Sequence, residues 1–111
     1  MIGITTHVLD TSRGRPAAGM EVTLERLIGA LDWTVVGAGR TDDNGRWTAL
    51  AGTVAAGTYR LLFDTAAHVS ADGRRAFYPY VSIAFDVDDS QAHTHVPLLL
   101  SPFGYTTYRG S

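Results

Sequence analysis

The sequence predicts an all-β fold, a β-sandwich of two antiparallel sheets with one short helix. Three observations lead there. Apolar and polar residues alternate with period two in segment after segment. The segments are short, about seven or eight of them, and stretches rich in Gly, Pro, Asp and Ser separate them. Almost nothing recurs at helical spacing. A chain of 111 residues fits one domain and little else. No repeat or low-complexity linker interrupts it, so a single domain over 1–111 is expected.

The elements follow in order. Ile4 to Asp10 alternates cleanly, with Ile4, Thr6 and Val8 on a core face and Thr5, His7 and Leu9 on the other. Thr11 to Gly19 is dense in turn formers and reads as a loop. Met20 to Leu27 sets Met20, Val22, Leu24 and Arg26 against Glu21, Thr23, Glu25 and Leu27. Trp33 to Gly39 is the next strand, and Thr41-Asp42-Asp43-Asn44-Gly45 turns the chain before Arg46-Trp47. Thr58 to Asp64 is a strand, and Thr65 to Ser70 is the single helical candidate, only long enough for about one turn. Tyr80 to Val87 alternates Val81, Ile83, Phe85 and Val87 against Tyr80, Ser82, Ala84 and Asp86. A last strand, His93 to Leu100, places Thr94, Val96, Leu98 and Leu100 in the core and His93, His95, Pro97 and Leu99 outside. Ser101-Pro102-Phe103-Gly104 reverses it, with Gly104 free to take positive φ, into a strand that brings Tyr108 across from the histidines.

Composition removes several kinds of chemistry. With no cysteine, disulfides, thiolate nucleophiles and Cys-based zinc sites are excluded. All nine basic residues are arginine, so a Schiff-base lysine and a phosphate-binding Gly-Lys loop are excluded as well. A net charge of −2 argues against a nucleic-acid partner. No apolar run approaches a membrane span. The first residues lack the pattern of a secretory leader, and the Arg-Gly-Ser end is not a peroxisomal address. A cytoplasmic location is the expectation.

The chemistry-bearing residues are few. His7 points away from the interior, and alone it reads as a surface or interface histidine. His93 and His95 share one face, so their imidazoles can converge on a metal ion or a substrate. With His7, or less readily His68, as third ligand they would make a zinc site with an open position. His68 itself reads as an exposed residue near the helix. Arg46, just past a turn, carries a planar fork of donors suited to an oxygen-rich anion. Tyr108 and Arg109 sit in a tail whose strand-forming residues, Tyr105 to Tyr108, are unlike a ragged end. No Gly-x-Ser-x-Gly elbow supports a serine nucleophile. The pairs Asp42-Asp43 and Asp88-Asp89 read as turn residues.

Four stretches together resemble one family. They are His7-Val8-Leu9-Asp10 with Gly14-Arg15-Pro16-Ala17, Thr41 to Gly45-Arg46, His93-Thr94-His95-Val96-Pro97-Leu98-Leu99-Leu100-Ser101-Pro102, and the terminal Tyr108-Arg109-Gly110-Ser111. The chain is similar over nearly its whole length to the 5-hydroxyisourate hydrolases, the enzymatic members of the transthyretin-like family. One departure is Thr94, where the family often carries an aromatic residue. The resemblance implies a transthyretin-like (prealbumin-like) sandwich and a homotetramer with sites at the dimer–dimer interface, around a central channel. It implies hydrolysis of 5-hydroxyisourate to 2-oxo-4-hydroxy-4-carboxy-5-ureidoimidazoline, in urate degradation, without metal or other cofactor. It further implies His7, Arg46 and His95 as catalytic residues and His7, Arg46 and Tyr108 as substrate-binding ones. His93, Arg109, Gly110 and Ser111 take supporting roles. A non-enzymatic carrier of small ligands, of the transthyretin type, is the alternative.

Overall fold

The computed structural model describes residues 1–48 and 52–110. In chain order the elements are β1 (Gly3–Asp10), β2 (Arg15–Pro16), β3 (Glu21–Ile28), β4 (Asp32–Arg40), β5 (Arg46–Thr48), β6 (Gly57–Phe63), α1 (Thr65–Ser70), β7 (Val81–Val87), β8 (His93–His95), β9 (Leu98–Ser101) and β10 (Gly104–Thr107). They form two sheets. One runs β4-β3-β6-β7 and is antiparallel throughout. The other is built around β1, which pairs β2 and β5 on one side and β8 and β9 on the other, with β10 outside β9.

Two sheets and one short helix match the sandwich read from the sequence, with one correction. The β1 sheet is mixed, because β8 and β9 run parallel to β1. The reason is connectivity. β8 follows β7, which belongs to the opposite sheet, so the chain crosses between layers and no hairpin dictates an antiparallel return. The predicted strand from His93 to Leu100 is also broken in two. Pro97 has no N–H to offer the ladder, and at the break Val96 N–H donates to the Thr5 carbonyl at 2.9 Å while the Thr6 hydroxyl takes up the Val96 carbonyl at 2.5 Å.

The core is the set of inward positions of both sheets. Ile4 and Val8 from β1, Val22 and Leu24 from β3, and Tyr59, Leu61 and Phe63 from β6 are buried. Val81 and Val87 of β7 close it from the edge, and Val96, Leu98 and Leu100 complete it from the C-terminal segment. Each fully buried Leu, Val or Phe contributes about 1.5–3 kcal/mol, far more than the exposed polar contacts on the outer faces. This is what fixes each strand's register: a slip of one residue would turn its apolar set to solvent. Trp47 is buried by lying on Gly39, where a side chain would collide with the indole.

Three smaller expectations change. The 11–19 loop contains a two-residue strand, Arg15–Pro16, registered on Leu9 and Asp10. The turn before β10 uses no left-handed residue, since Gly104 is not among the glycines with positive φ. His68 is not a free surface residue. Its helix is docked by buried Val69, and the imidazole Nε2 donates to Asp10 Oδ2 at 2.9 Å. Asp10 is buried, and Arg74 and Ser12 also donate to it, at 2.7 Å each. Burial alone would raise the Asp10 carboxyl, but the hydrogen bonds from Arg74, Ser12 and His68 outweigh it and hold the group well below the usual carboxylate range. The sequence shows no sign of this cluster, because Asp10 and Ser12 lie far along the chain from His68 and Arg74.

Candidate active site

The outer face of β1 carries Thr5 and His7, and register brings the other candidates to it. His7 stands directly opposite Arg46 across the β1–β5 pair. On the other side Thr5 pairs with His95 and Gly3 with His93. Because Ile4, Thr6 and Val8 are buried, period-two alternation forces Thr5 and His7 outward.

The turn before β5 is tied to β1 twice. Gly45, at φ +75, passes so close to Val8 that any side chain would strike the Val8 carbonyl. Its own carbonyl accepts from Val8 N–H at 2.8 Å. The Asp42 carboxylate caps the turn by accepting from the backbone N–H groups of Asn44, at 2.9 Å, and Arg46, at 3.0 Å. The bond from Arg46 is the main reason its carboxyl lies below the ordinary value. The second tie is His7 itself, whose Nε2 lies 2.8 Å from the Asn44 carbonyl oxygen. A carbonyl only accepts, so Nε2 carries the proton, and in the neutral ring Nδ1 is the acceptor nitrogen.

His93 and His95 meet at one hydroxyl. Thr5 Oγ1 lies 2.9 Å from His93 Nε2 and 2.9 Å from His95 Nδ1. Burial pushes the His95 imidazolium pKa below the ordinary histidine value, and the nearby His93, His7 and Arg46 push the same way. The His95 ring is therefore neutral near pH 7. A depression of about 360 Å³ opens here, lined by Thr5, Arg46, Trp47, Thr48, His93 and His95. Its lining has donors, a guanidinium and imidazoles but no carboxylate, which suits an electron-rich, oxygen-bearing ligand. The zinc arrangement weighed from the sequence does not form: among the described residues no group of three or more His, Asp or Glu is placed to hold a metal ion.

The terminal segment behaves differently from expectation. Gly110 N–H donates to the His95 carbonyl at 2.8 Å, so the tail runs beside β8. This carries Tyr108 and Arg109 over the gap between the sheets. There they line a separate cavity of about 290 Å³ with Ile83, Phe85, Thr94 and Val96. Within one chain Tyr108 lines this cavity and not the depression that His93 and His95 line. Ser111 lies outside the described residues. Thr5 and Asn44 were missed from the sequence. Thr5 had a legible signal, since it shares the outward face with His7 two residues on, but nothing local places His93 and His95 against it.

Comparison with known proteins gives one answer. The profile of the HIUase/Transthyretin family matches residues 4–110. A Caenorhabditis elegans protein named as a probable 5-hydroxyisourate hydrolase is 46% identical over 110 residues, covering 97% of this chain and 81% of that one. Among solved structures, the Klebsiella pneumoniae 5-hydroxyisourate hydrolase superposes with a TM-score of 0.86 at 36% identity, covering 98% of this chain and 99% of the other. Sea bream transthyretin in complex with thyroxine superposes with a TM-score of 0.90 at 31% identity, covering 96% and 93%.

Proposed function

The chain belongs to the HIUase/transthyretin family, and we propose that it is the hydrolase of that family, opening 5-hydroxyisourate to 2-oxo-4-hydroxy-4-carboxy-5-ureidoimidazoline in urate degradation. The observation that carries this reading is the cross-strand pairing of His7 with Arg46 on the same outer face as His95.

The residues divide the work as follows. Water attacks a ring carbonyl carbon of the substrate, and His7 takes its proton at Nδ1, the nitrogen left open by the bond from Nε2 to Asn44. Arg46 holds the substrate's oxygens and offsets the charge that develops on the attacked carbonyl, a contribution typically worth about 2.7–4 kcal/mol. His95, neutral and half-buried, is the partner that hydrogen-bonds the reacting group. His93 supports His95 through Thr5. Gly110 braces the tail against β8, and we assign Arg109 and Ser111 supporting roles. No step in this scheme calls on a metal or other cofactor.

The site is completed by assembly. Among the described residues, β7 and β10 are outermost strands of their sheets and leave a row of backbone groups without strand partners. They border the same cavity, so a second copy can pair with both at once. Two such dimers facing each other would form a homotetramer with sites at the dimer–dimer interface, covering the open depression on the β1 face. We assign Tyr108, 56% exposed, to the substrate pocket of that assembly, where the terminal segment of one copy meets the open face of another. We place the enzyme in the cytoplasm; among the described residues no helix is long and apolar enough to cross a membrane.

The test is to generate 5-hydroxyisourate from urate with a urate oxidase and follow its ultraviolet absorbance, with chelator present. Accelerated decay that disappears in His7→Ala is the expected result. A carrier of small ligands is the second reading, favoured by the likeness to thyroxine-bound transthyretin. A folded protein that leaves the decay rate unchanged would select it.

A further inference from the structure

We propose that Thr5 is a positioning residue for the hydrolase reaction: its hydroxyl, held between His93 and His95, fixes the tautomer of His95 so that the ring presents an N–H at Nε2 to the substrate. This rests on the hydrolase reading above.

The argument begins with proton counting. Thr5 Oγ1 is 2.9 Å from His93 Nε2 and 2.9 Å from His95 Nδ1. A hydroxyl has one proton and two lone pairs, so it cannot donate to both imidazoles; when its proton is spent on one ring it accepts from the other. The three groups then form a directional chain, running either from His93 to His95 or the reverse. The backbone holds the chain rigidly. Thr5 is the register partner of His95 and Gly3 that of His93, the Thr5 carbonyl accepts from Val96 N–H at 2.9 Å, and a β-branched side chain in a strand is stiff at χ1.

The needs of the reaction choose the direction. Hydrolysis of a ring amide requires a base for the water and a donor for the carbonyl oxygen or the departing nitrogen. His7 supplies the base, since its proton is committed to the Asn44 carbonyl. A second bare acceptor nitrogen at His95 would leave the imidazoles without a donor. In the productive direction His93 Nε2–H donates to Thr5 Oγ1, Thr5 O–H donates to His95 Nδ1, and the remaining His95 proton sits on Nε2. A tautomer is meaningful only for a neutral ring, and burial together with His93 on its own strand, His7 on β1 and Arg46 on β5 favours neutral His95, outweighing the backbone bond to Thr5 that favours the charged ring. Had Thr5 only to build a strand, valine would serve as well or better.

The test uses Thr5→Val, which keeps shape and strand propensity, and Thr5→Ser, which keeps the hydroxyl. In histidine-labelled wild-type protein, ring ¹⁵N spectra near neutral pH are expected to show His95 protonated at Nε2 and bare at Nδ1. In Thr5→Val the two nitrogens should move toward averaged values, and in Thr5→Ser they should not. On generated substrate, Thr5→Val should lower kcat about 10–100-fold with KM within about twofold, the range expected for a lost orienting partner, and Thr5→Ser should recover most of the loss. Wild-type kcat in Thr5→Val, a His95 ring indifferent to that change, or a wild-type ring protonated at Nδ1 would each overturn the proposal. If the wild-type protein fails to speed substrate decay, the hydrolase reading falls by itself. The ring spectra then still decide whether Thr5 sets the tautomer.

Discussion

Gly110 lies directly against the imidazole of His95. Its N–H donates to the His95 carbonyl at 2.8 Å, and a Cβ at residue 110 would stand 2.6 Å from His95 Cδ2 and 3.2 Å from Cγ. The glycine near the end of the chain is there because nothing larger fits beneath the ring.

Gly110→Ala should therefore displace the His95 ring. A misplacement of about 1 Å in a reacting group can cost on the order of 100-fold in rate, so kcat/KM should fall about 10–100-fold. Thermal unfolding should shift little, since the contact lies at the end of the chain. Steady-state kinetics beside calorimetry checks both, and wild-type kinetics would show that the tail tolerates the methyl group.

Arg46→Lys keeps the charge and removes the planar fork. If Arg46 grips two substrate oxygens, kcat/KM should drop about 100-fold, in line with the loss of a transition-state donor. Arg46 is exposed, so the melting temperature should not change. Full activity in the lysine variant would reduce Arg46 to a point charge.

His95 should titrate below the ordinary histidine value of about 6.5, because burial and three neighbouring basic groups oppose its protonation. The sign follows: the ring is neutral at pH 7, and the acid limb of kcat/KM that belongs to it lies under pH 6.5. The unfolded chain takes up this proton more readily than the folded one. Stability from this group is thus complete above the unfolded pKa and declines as pH falls through it. A proton NMR titration of the His95 ring measures the midpoint, and a value above 6.5 would contradict the burial argument.

Asp10→Asn should destabilise the fold by about 3–5 kcal/mol, the usual result of breaking a buried charge cluster on one side, here leaving His68 without its anion and Arg74 with Asp72 alone. The carboxyl is depressed in the folded state, so its contribution is present in full above the unfolded pKa of about 3.9 and is lost as pH falls further. Denaturation curves from pH 7 to pH 2 should show the gap between wild type and variant widest above pH 4 and narrowing below it. A gap independent of pH would mean that shape, and not charge, is what Asp10 supplies.

If Tyr108 reaches the substrate from another subunit, two inactive variants should rescue one another. His7→Ala and Tyr108→Phe, unfolded together and reassembled, should recover a measurable share of wild-type kcat, whereas each reassembled alone should not. No recovery from mixed tetramers would place both side chains in one subunit's site.

Much of this protein was legible in the chain itself. Alternation in Ile4–Val8, Met20–Leu24 and Val81–Val87 is a local property, set by which residues must be buried, and it placed strands and core faces within about a residue of where they lie. The single helical candidate, Thr65 to Ser70, is the helix found. His7, Arg46, His93 and His95 were identifiable as outward-facing polar groups, and their motifs pointed to one family.

Only the tertiary structure decided who meets whom. Residues 5 and 93 to 95 become neighbours because β8 crosses from the other sheet and pairs parallel to β1, a choice that no window of sequence contains. The same crossover gave Thr5 its place between two imidazoles, and the packing of the tail on β8 put Tyr108 in the lining of a separate cavity. His68 was read as exposed because its partner Asp10 lies 58 positions away in the chain. Period and composition act along the chain, and hydrogen-bond partners at a site are set by register across it.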